Sequence, residues 1–152
     1  MKFNDNFLRA CRREQTDHTP VWFMRQAGRY QSAYQEIKKK HSIIDISTTP
    51  ELSAEVTLLP IRQFELDCAI IFSDILIPLK DMGVSFEYKA GYGPLIHNPI
   101  RTKEDVYQLK EVVAERDFHY TGKALEILKG ELNVPCIGFV GGPFTLASYM
   151  IE

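Results

Sequence analysis

Two arginines flank a Gln-Ala-Gly turn in Met24-Arg25-Gln26-Ala27-Gly28-Arg29-Tyr30, and two such planar guanidinium forks suit bidentate capture of carboxylates or phosphates. The Ala27-Gly28 pair lets the backbone approach a ligand closely. The same arginines could instead form surface ion pairs. The second group is Asp74, which lies among Phe72, Ile75 and Leu76. A carboxylate partly desolvated by such neighbours favours a cationic partner strongly. The alternative is a helix cap, made by Ser73 or by Asp74 itself.

A third segment, Gly138-Phe139-Val140-Gly141-Gly142-Pro143-Phe144-Thr145, reads as strand, glycine turn and helix start, an arrangement whose amides could cradle an anion. It lacks the lysine of a phosphate loop and the spacing of a dinucleotide fingerprint, so tight packing of the turn is the competing explanation. Tyr149 follows within the same helix, as a core aromatic or a ligand contact. His18, His41, His97 and His119 share no metal-ligand spacing and none pairs locally with a cysteine, so no metal site is expected. Lys38-Lys39-Lys40-His41 reads as a solvated helix face.

The elements that must hold these groups alternate between strand and helix signals. Helices are expected over residues 4–13, 31–40, 49–64, 75–81 and 116–129, with Thr49-Pro50-Glu51 and Thr102-Lys103-Glu104-Asp105 as capped starts and Gly130 as a stop. A last helix opens at Gly141-Gly142-Pro143. Strands are expected at residues 21–23, 68–72 and 134–140, and the apolar run Cys68-Ala69-Ile70-Ile71-Phe72 fits a strand buried on both faces of a parallel sheet. Residues 84–97, rich in glycine, proline and aromatics, read as an irregular excursion. In parallel α/β architectures, chemistry sits on loops leaving the carboxyl ends of strands. By that rule Asp74 faces the chemistry, and Asp67, just before its strand, faces the end that serves stability. Three strands suggest the first part of a (β/α)8 TIM barrel, and a doubly wound open sheet is the alternative.

Composition narrows the classes. A net charge of -2 offers no positive field for nucleic acid or an anionic membrane, so an anionic partner must be held by a few local cations. Three widely spaced cysteines argue against a disulfide framework and for a reducing cytoplasm. No apolar run approaches the length of a membrane span and no leader pattern opens the chain.

Separate segments resemble one family. Pro20-Val21-Trp22-Phe23-Met24-Arg25-Gln26-Ala27-Gly28-Arg29 resembles the first signature of the uroporphyrinogen decarboxylases, P-x-W-x-M-R-Q-A-G-R. The stretch from Gly138 through Pro143-Phe144-Thr145-Leu146 and Tyr149 to Glu152 resembles the second, G-F-x-x-x-P-F-T-L-x-x-Y-x-x-E. Between them, Ala69-Ile70-Ile71-Phe72-Ser73-Asp74-Ile75-Leu76 resembles the strand carrying the family's central aspartate.

The resemblance implies a carboxy-lyase of porphyrin and heme biosynthesis that converts the four acetate side chains of uroporphyrinogen III to methyl groups, giving coproporphyrinogen III and CO2. It implies a (β/α)8 barrel, a cytoplasmic homodimer, and no metal or organic cofactor. Asp74 would accept hydrogen bonds from the pyrrole N–H groups. Arg25 and Arg29 would bind substrate carboxylates, with Arg25 a candidate proton donor despite an arginine pKa above about 12. Gln26, Ala27 and Gly28 would line the substrate through their backbone, Tyr149 would border Asp74, and Lys38 could reach a peripheral carboxylate. Residues 1–152 would then form the N-terminal part of a single barrel domain. The family's later strands supply a hydroxyl residue and a histidine that no segment here matches, so these residues alone are expected to be inactive and prone to associate. Two further readings stand beside this one: a cobalamin- or zinc-dependent methyltransferase sharing the barrel, and a non-catalytic anion-binding or assembly module.

Overall fold

The computed structural model describes residues 2–89 and 91–151, so Glu152, the last residue of the second signature, lies outside the described residues. The chain divides into two units: Met1–Ser73 with Tyr120–Phe139, and Asp74–His119 with Val140–Glu152.

The first unit contains α1 (Asn6–Cys11), α2 (Ser32–Lys40), α3 (Ile43–Thr48), α4 (Pro50–Gln63), β1 (Ala69–Ile70), most of α8 (His119–Glu131) and β4 (Cys136–Ile137). Strands β1 and β4 run parallel, with Ala69 opposite Cys136 and Ile70 opposite Ile137. Ala54 and Leu58 of α4, Ile71, and Ala124 and Leu128 of α8 close a core against this pair. Burying a side chain such as Leu128 contributes about 1.5–3 kcal/mol. A second cluster joins Tyr34, Ile46 and Val56, with Ala27 and Phe72 packed on it. Cys68 is wholly buried and its thiol is pushed up to about 12 by burial above all, which makes it a core residue and no nucleophile.

Several expectations need correction. Residues 21–23 form no strand: one main-chain bond, from Asp67 N–H to Val21 C=O at 2.9 Å, ties them to the chain ahead of β1, and a turn at Met24 and Arg25 follows at once. Residues 134–140 shorten to β4 because Pro135 has no N–H and Gly138 ends the apolar run. Helix α3 was not expected, yet it carries a capping box in which Ser42 and Asp45 satisfy each other's backbone N–H groups. Thr49 does occupy the N-cap of α4, with Pro50 and Glu51 following, but its hydroxyl makes no capping bond. The helix expected over 116–129 divides into α7 (Ala114–Asp117) and α8, and α8 runs through Gly130 to Glu131.

The second unit contains α5 (Ile77–Asp81), β2 (Phe86–Lys89), β3 (Gly93–Ile96), α6 (Lys103–Tyr107), α7 and α9 (Pro143–Ile151). Residues 84–97, expected to be irregular, make an antiparallel hairpin in which Phe86 faces Ile96 and Tyr88 faces Pro94. Alternation explains it: Phe86 and Tyr88 are covered while Glu87 and Lys89 are exposed, and Gly91 and Gly93 adopt the positive φ that the turn needs. Thr102 and Asp105 form the expected capping box at α6. Among the described residues no helix is long and apolar enough to cross a membrane.

Candidate functional site

The loop bearing the arginines is held from inside. Gln26 is only 3% exposed, and its side-chain amide donates to the Cys68 carbonyl at 2.6 Å while accepting from the Ile70 N–H at 3.0 Å. On alternate residues, Ala69 and Ile71, the N–H groups bond to the carbonyls of Pro135, just before β4, and of Ile137 within it. Gln26 therefore does for β1 what a neighbouring strand would, and it satisfies one buried and one partly buried backbone group. The loop is also closed at its ends: the rings of Phe23 and Tyr30 both pack on Phe64, with centroids 6.2 and 6.3 Å away.

Three main-chain carbonyls of the loop have partners within the chain. Gln26 C=O accepts from the Tyr30 hydroxyl, Gly28 C=O from Gln31 N–H at 3.0 Å, and Arg29 C=O from the Gln35 amide. Ala27 is half-buried against the second cluster. Gly28 has no positive φ, and a Cβ there would sit 3.5 Å from the Tyr30 ring, an ordinary contact. Nothing in the fold itself demands glycine at that position. Arg25 and Arg29 are exposed, and among the described residues neither has an acidic partner, contrary to the ion-pair alternative. Burial raises the Tyr34 phenol above its ordinary pKa, and the nearby charge of Arg29 partly offsets that rise. Lys38 is exposed on the last turn of α2.

Asp74 lies in the second unit, just ahead of α5. Its Oδ1 accepts from the Leu76 N–H at 2.8 Å, an Asx turn that introduces the helix without supplying its N-cap, which is Leu76. Among the described residues that amide is its hydrogen-bond donor, and the Tyr88 phenol lies near enough to feel its charge. Burial raises the Tyr88 phenol well above its ordinary value, the neighbouring Asp74 carboxylate raises it further, and Tyr149 adds a smaller effect. Asp74 and Tyr149, which the residue types indicated, are thus both near enough to Tyr88, which they missed, to act on its phenol. The signal that could have found it is the alternation in Phe86-Glu87-Tyr88-Lys89.

The glycine turn serves packing. A Cβ on Gly141 would lie 2.5 Å from Leu146 Cδ2 and 3.2 Å from the Ile75 carbonyl oxygen, so glycine lets this turn approach the residue next to Asp74. Met150 C=O accepts from Ile100 N–H at 2.8 Å, which ties down the last turn of α9.

Asp67 behaves differently. It is 3% exposed and accepts from Asn4 Nδ2 at 2.9 Å, His18 Nε2 at 2.9 and 3.1 Å, and Val21 N–H at 2.8 Å. Burial would raise its pKa, but the Val21, Asn4 and His18 bonds outweigh it and hold the carboxyl below its ordinary value. A cleft of about 880 Å³ opens beside it, lined also by Arg62, Phe64, Glu65 and Glu131, and contains none of the expected site residues. Among the described residues no cluster of three or more His, Cys, Asp or Glu side chains could hold a metal ion.

Comparison with known proteins covers essentially the whole chain. A family model for uroporphyrinogen decarboxylase matches residues 2–152. Uroporphyrinogen decarboxylases from Carboxydothermus hydrogenoformans and from a Geobacillus species are 53% and 55% identical over 98% of this chain. The chain spans 43% and 44% of the length of these two relatives. Among solved structures, a methyltransferase from Methanosarcina mazei superposes with a TM-score of 0.71 over 100% of this chain and 46% of its own, at 20% identity, a likeness of fold alone.

Proposed function

Since the chain belongs to the uroporphyrinogen decarboxylase family, we propose that the full-length polypeptide removes the carboxyl groups of the four acetate side chains of uroporphyrinogen III, yielding coproporphyrinogen III and four CO2. The observation that carries this reading is Asp74: a half-buried carboxylate fixed by the Leu76 backbone amide, in a segment that resembles the strand with the family's central aspartate.

Loss of CO2 from an acetate leaves an electron pair on the methylene carbon. Protonation of the adjacent pyrrole first converts that ring into a cationic sink for the pair, so the protein's task is to stabilise positive charge. A carboxylate already oriented by the chain does this without reorganising during the reaction. Asp74 accepts the pyrrole N–H groups and lies close to the cation. Arg25 and Arg29, exposed and without an acidic partner among the described residues, bind the peripheral carboxylates as bidentate forks, and Gly28 lets the backbone come near the macrocycle. Tyr149 borders Asp74. Arg25 also serves as the candidate proton donor, a role that a neighbouring substrate carboxylate would have to assist. The reaction needs no metal or organic cofactor.

The finer architecture belongs to the same proposal. These residues form the N-terminal part of a single (β/α)8 barrel domain, which works in the cytoplasm as a homodimer. The parallel β1–β4 pair flanked by α4 and α8 supports the barrel, as does the shared fold of the methyltransferase.

An anaerobic assay of the full-length polypeptide with uroporphyrinogen III, followed by mass measurement of the products, tests the activity. The expected product has four carboxyl groups fewer, and Asp74→Asn lowers the rate by about 100-fold or more. An unchanged substrate, or an Asp74→Asn protein as fast as wild type, refutes it.

A further inference from the structure

The ladder between β1 and β4 ends at Ile71, whose N–H donates to the Ile137 carbonyl at 3.0 Å. Asp74 follows three residues later, and its own bonds, to the N–H groups of Leu76 and Ile77, are local to the segment and move with it. The backbone in between is held by helix α4. Thr57 Oγ1 accepts from the Phe72 N–H at 2.8 Å and donates to the Ser53 carbonyl at 2.7 Å, and Ser53 Oγ donates to the Phe72 carbonyl at 2.7 Å. Residues four apart share one face of a helix, which is why two short hydroxyl side chains reach both polar groups of a single residue.

These hydroxyls sit where apolar side chains would be expected. Thr57 is 0% and Ser53 2% exposed, on a helix whose Ala54, Val56 and Leu58 are core residues. A hydroxyl buried in such surroundings is costly unless it is hydrogen-bonded, and here it answers groups of Phe72 that lie beyond the end of the ladder. The Phe72 ring also packs on Tyr34, with centroids 5.6 Å apart, so side chain and backbone of this residue are both anchored.

We propose that Thr57, aided by Ser53, is a positioning residue for the reaction: by fixing the Phe72 backbone from α4, it sets where the chain carries Asp74, two residues on. This role rests on the reading of Asp74 as the carboxylate that faces the pyrrole N–H groups.

The chemistry suits the role. Once both peptide groups of Phe72 are fixed, only the backbone torsions of Ser73 and Asp74 itself separate that anchor from the carboxylate. The Leu76 amide then orients the carboxylate on a fixed base. A hydroxyl anchors the chain without adding a charge that would compete for the carboxylate. Without the anchor the carboxylate shifts against a bound substrate, and a misplacement of about 1 Å can cost about 100-fold in rate.

The test uses the full-length polypeptide with uroporphyrinogen III, under conditions where urea curves show each variant folded. Thr57→Val keeps the shape of the side chain and removes its hydroxyl; kcat is expected to fall about 10-fold while KM stays within about threefold, because the carboxylate acts mainly as charge develops. Thr57→Ser keeps the hydroxyl and loses the methyl group, and should hold kcat within about twofold of wild type. Leu128→Val, which trims the buried core without touching either hydroxyl, should lower stability and leave both constants unchanged. Thr57→Val as fast as wild type, or Thr57→Ser or Leu128→Val as slow as Thr57→Val, overturns the inference. If Thr57→Val does not fold, Ser53→Ala, which frees only the Phe72 carbonyl, decides: a kcat about threefold lower sustains the role, and a kcat equal to wild type overturns it. An inactive wild type, or an Asp74→Asn protein as fast as wild type, refutes the reading of Asp74 and this role with it. A slow Asp74→Asn beside a fast Thr57→Val overturns the role of Thr57 alone.

Discussion

Replacing Asp67 by asparagine should destabilise the protein by about 2–3 kcal/mol at neutral pH. The carboxylate receives hydrogen atoms from Asn4, His18 and Val21 and gives none. An asparagine has one acceptor oxygen and one NH2 group. Whichever way the amide turns, a donor then faces a donor, either at the Val21 N–H or at the Asn4 and His18 side. The His18 contact counts for little, because that side chain is 57% exposed and water can replace the carboxylate. One main-chain bond and one amide bond to a charged acceptor therefore set the magnitude. The pH dependence follows from the lowered pKa of Asp67. Its stabilisation is fully present above the unfolded value of about 3.9 and is lost as pH falls through the lower folded value. Urea unfolding of wild type and Asp67→Asn, followed by circular dichroism, should show the full gap at about pH 7 and a shrinking gap below about pH 4. A midpoint difference at pH 7 within error of zero, or a gap that widens in acid, would refute the reasoning.

Gln26→Ala should cost about 2–4 kcal/mol in the same urea experiment, because it strips the partners from the buried Cys68 carbonyl and Ile70 N–H together; a loss under about 0.5 kcal/mol would mean that water or another side chain takes over. Gly141→Ala should cost about 1–3 kcal/mol: Leu146 can rotate away from the new methyl group, but the Ile75 carbonyl, 3.2 Å from it, moves only with the backbone. Equal melting temperatures for Gly141→Ala and wild type would show that the turn has slack.

The residues that bear charge were legible in the sequence because their types announce themselves: paired arginines around a glycine, and one aspartate behind an apolar run. What holds them was far less legible. Residues 21–23 have strand composition, but only Val21 makes a main-chain bond to the chain ahead of β1, and the positions beside β1 are taken by Gln26. Gln26 fills the missing ladder positions with a side chain, a substitution that no local pattern reveals, since its partners Cys68 and Ile70 lie on a different element. The hairpin was hidden by its own turn chemistry: Gly91, Gly93 and Pro94 suggested irregularity, although the alternation from Phe86 to Lys89 was there to be read. Helix α3 was overlooked because six residues show little periodicity, and only the reciprocal cap of Ser42 and Asp45 marks it.

The strand rule that separated Asp67 from Asp74 acquires a physical content from their bonding. Both carboxylates border the same apolar run, one before it and one after it. Asp67 is buried with its acceptor sites taken by Asn4, His18 and Val21, so no capacity remains for a ligand. Asp74 is half-buried, with the Leu76 amide as its hydrogen-bond donor among the described residues. The chain between them is fixed at Phe72, whose N–H donates to Thr57 Oγ1 at 2.8 Å and whose carbonyl accepts from Ser53 Oγ at 2.7 Å. A carboxylate saturated by its own chain can only stabilise the fold. One that is oriented but unsaturated, just past a strand end pinned by hydroxyls of α4, retains lone pairs for a further donor, and this is the capacity on which the proposed role of Asp74 toward a pyrrole N–H depends.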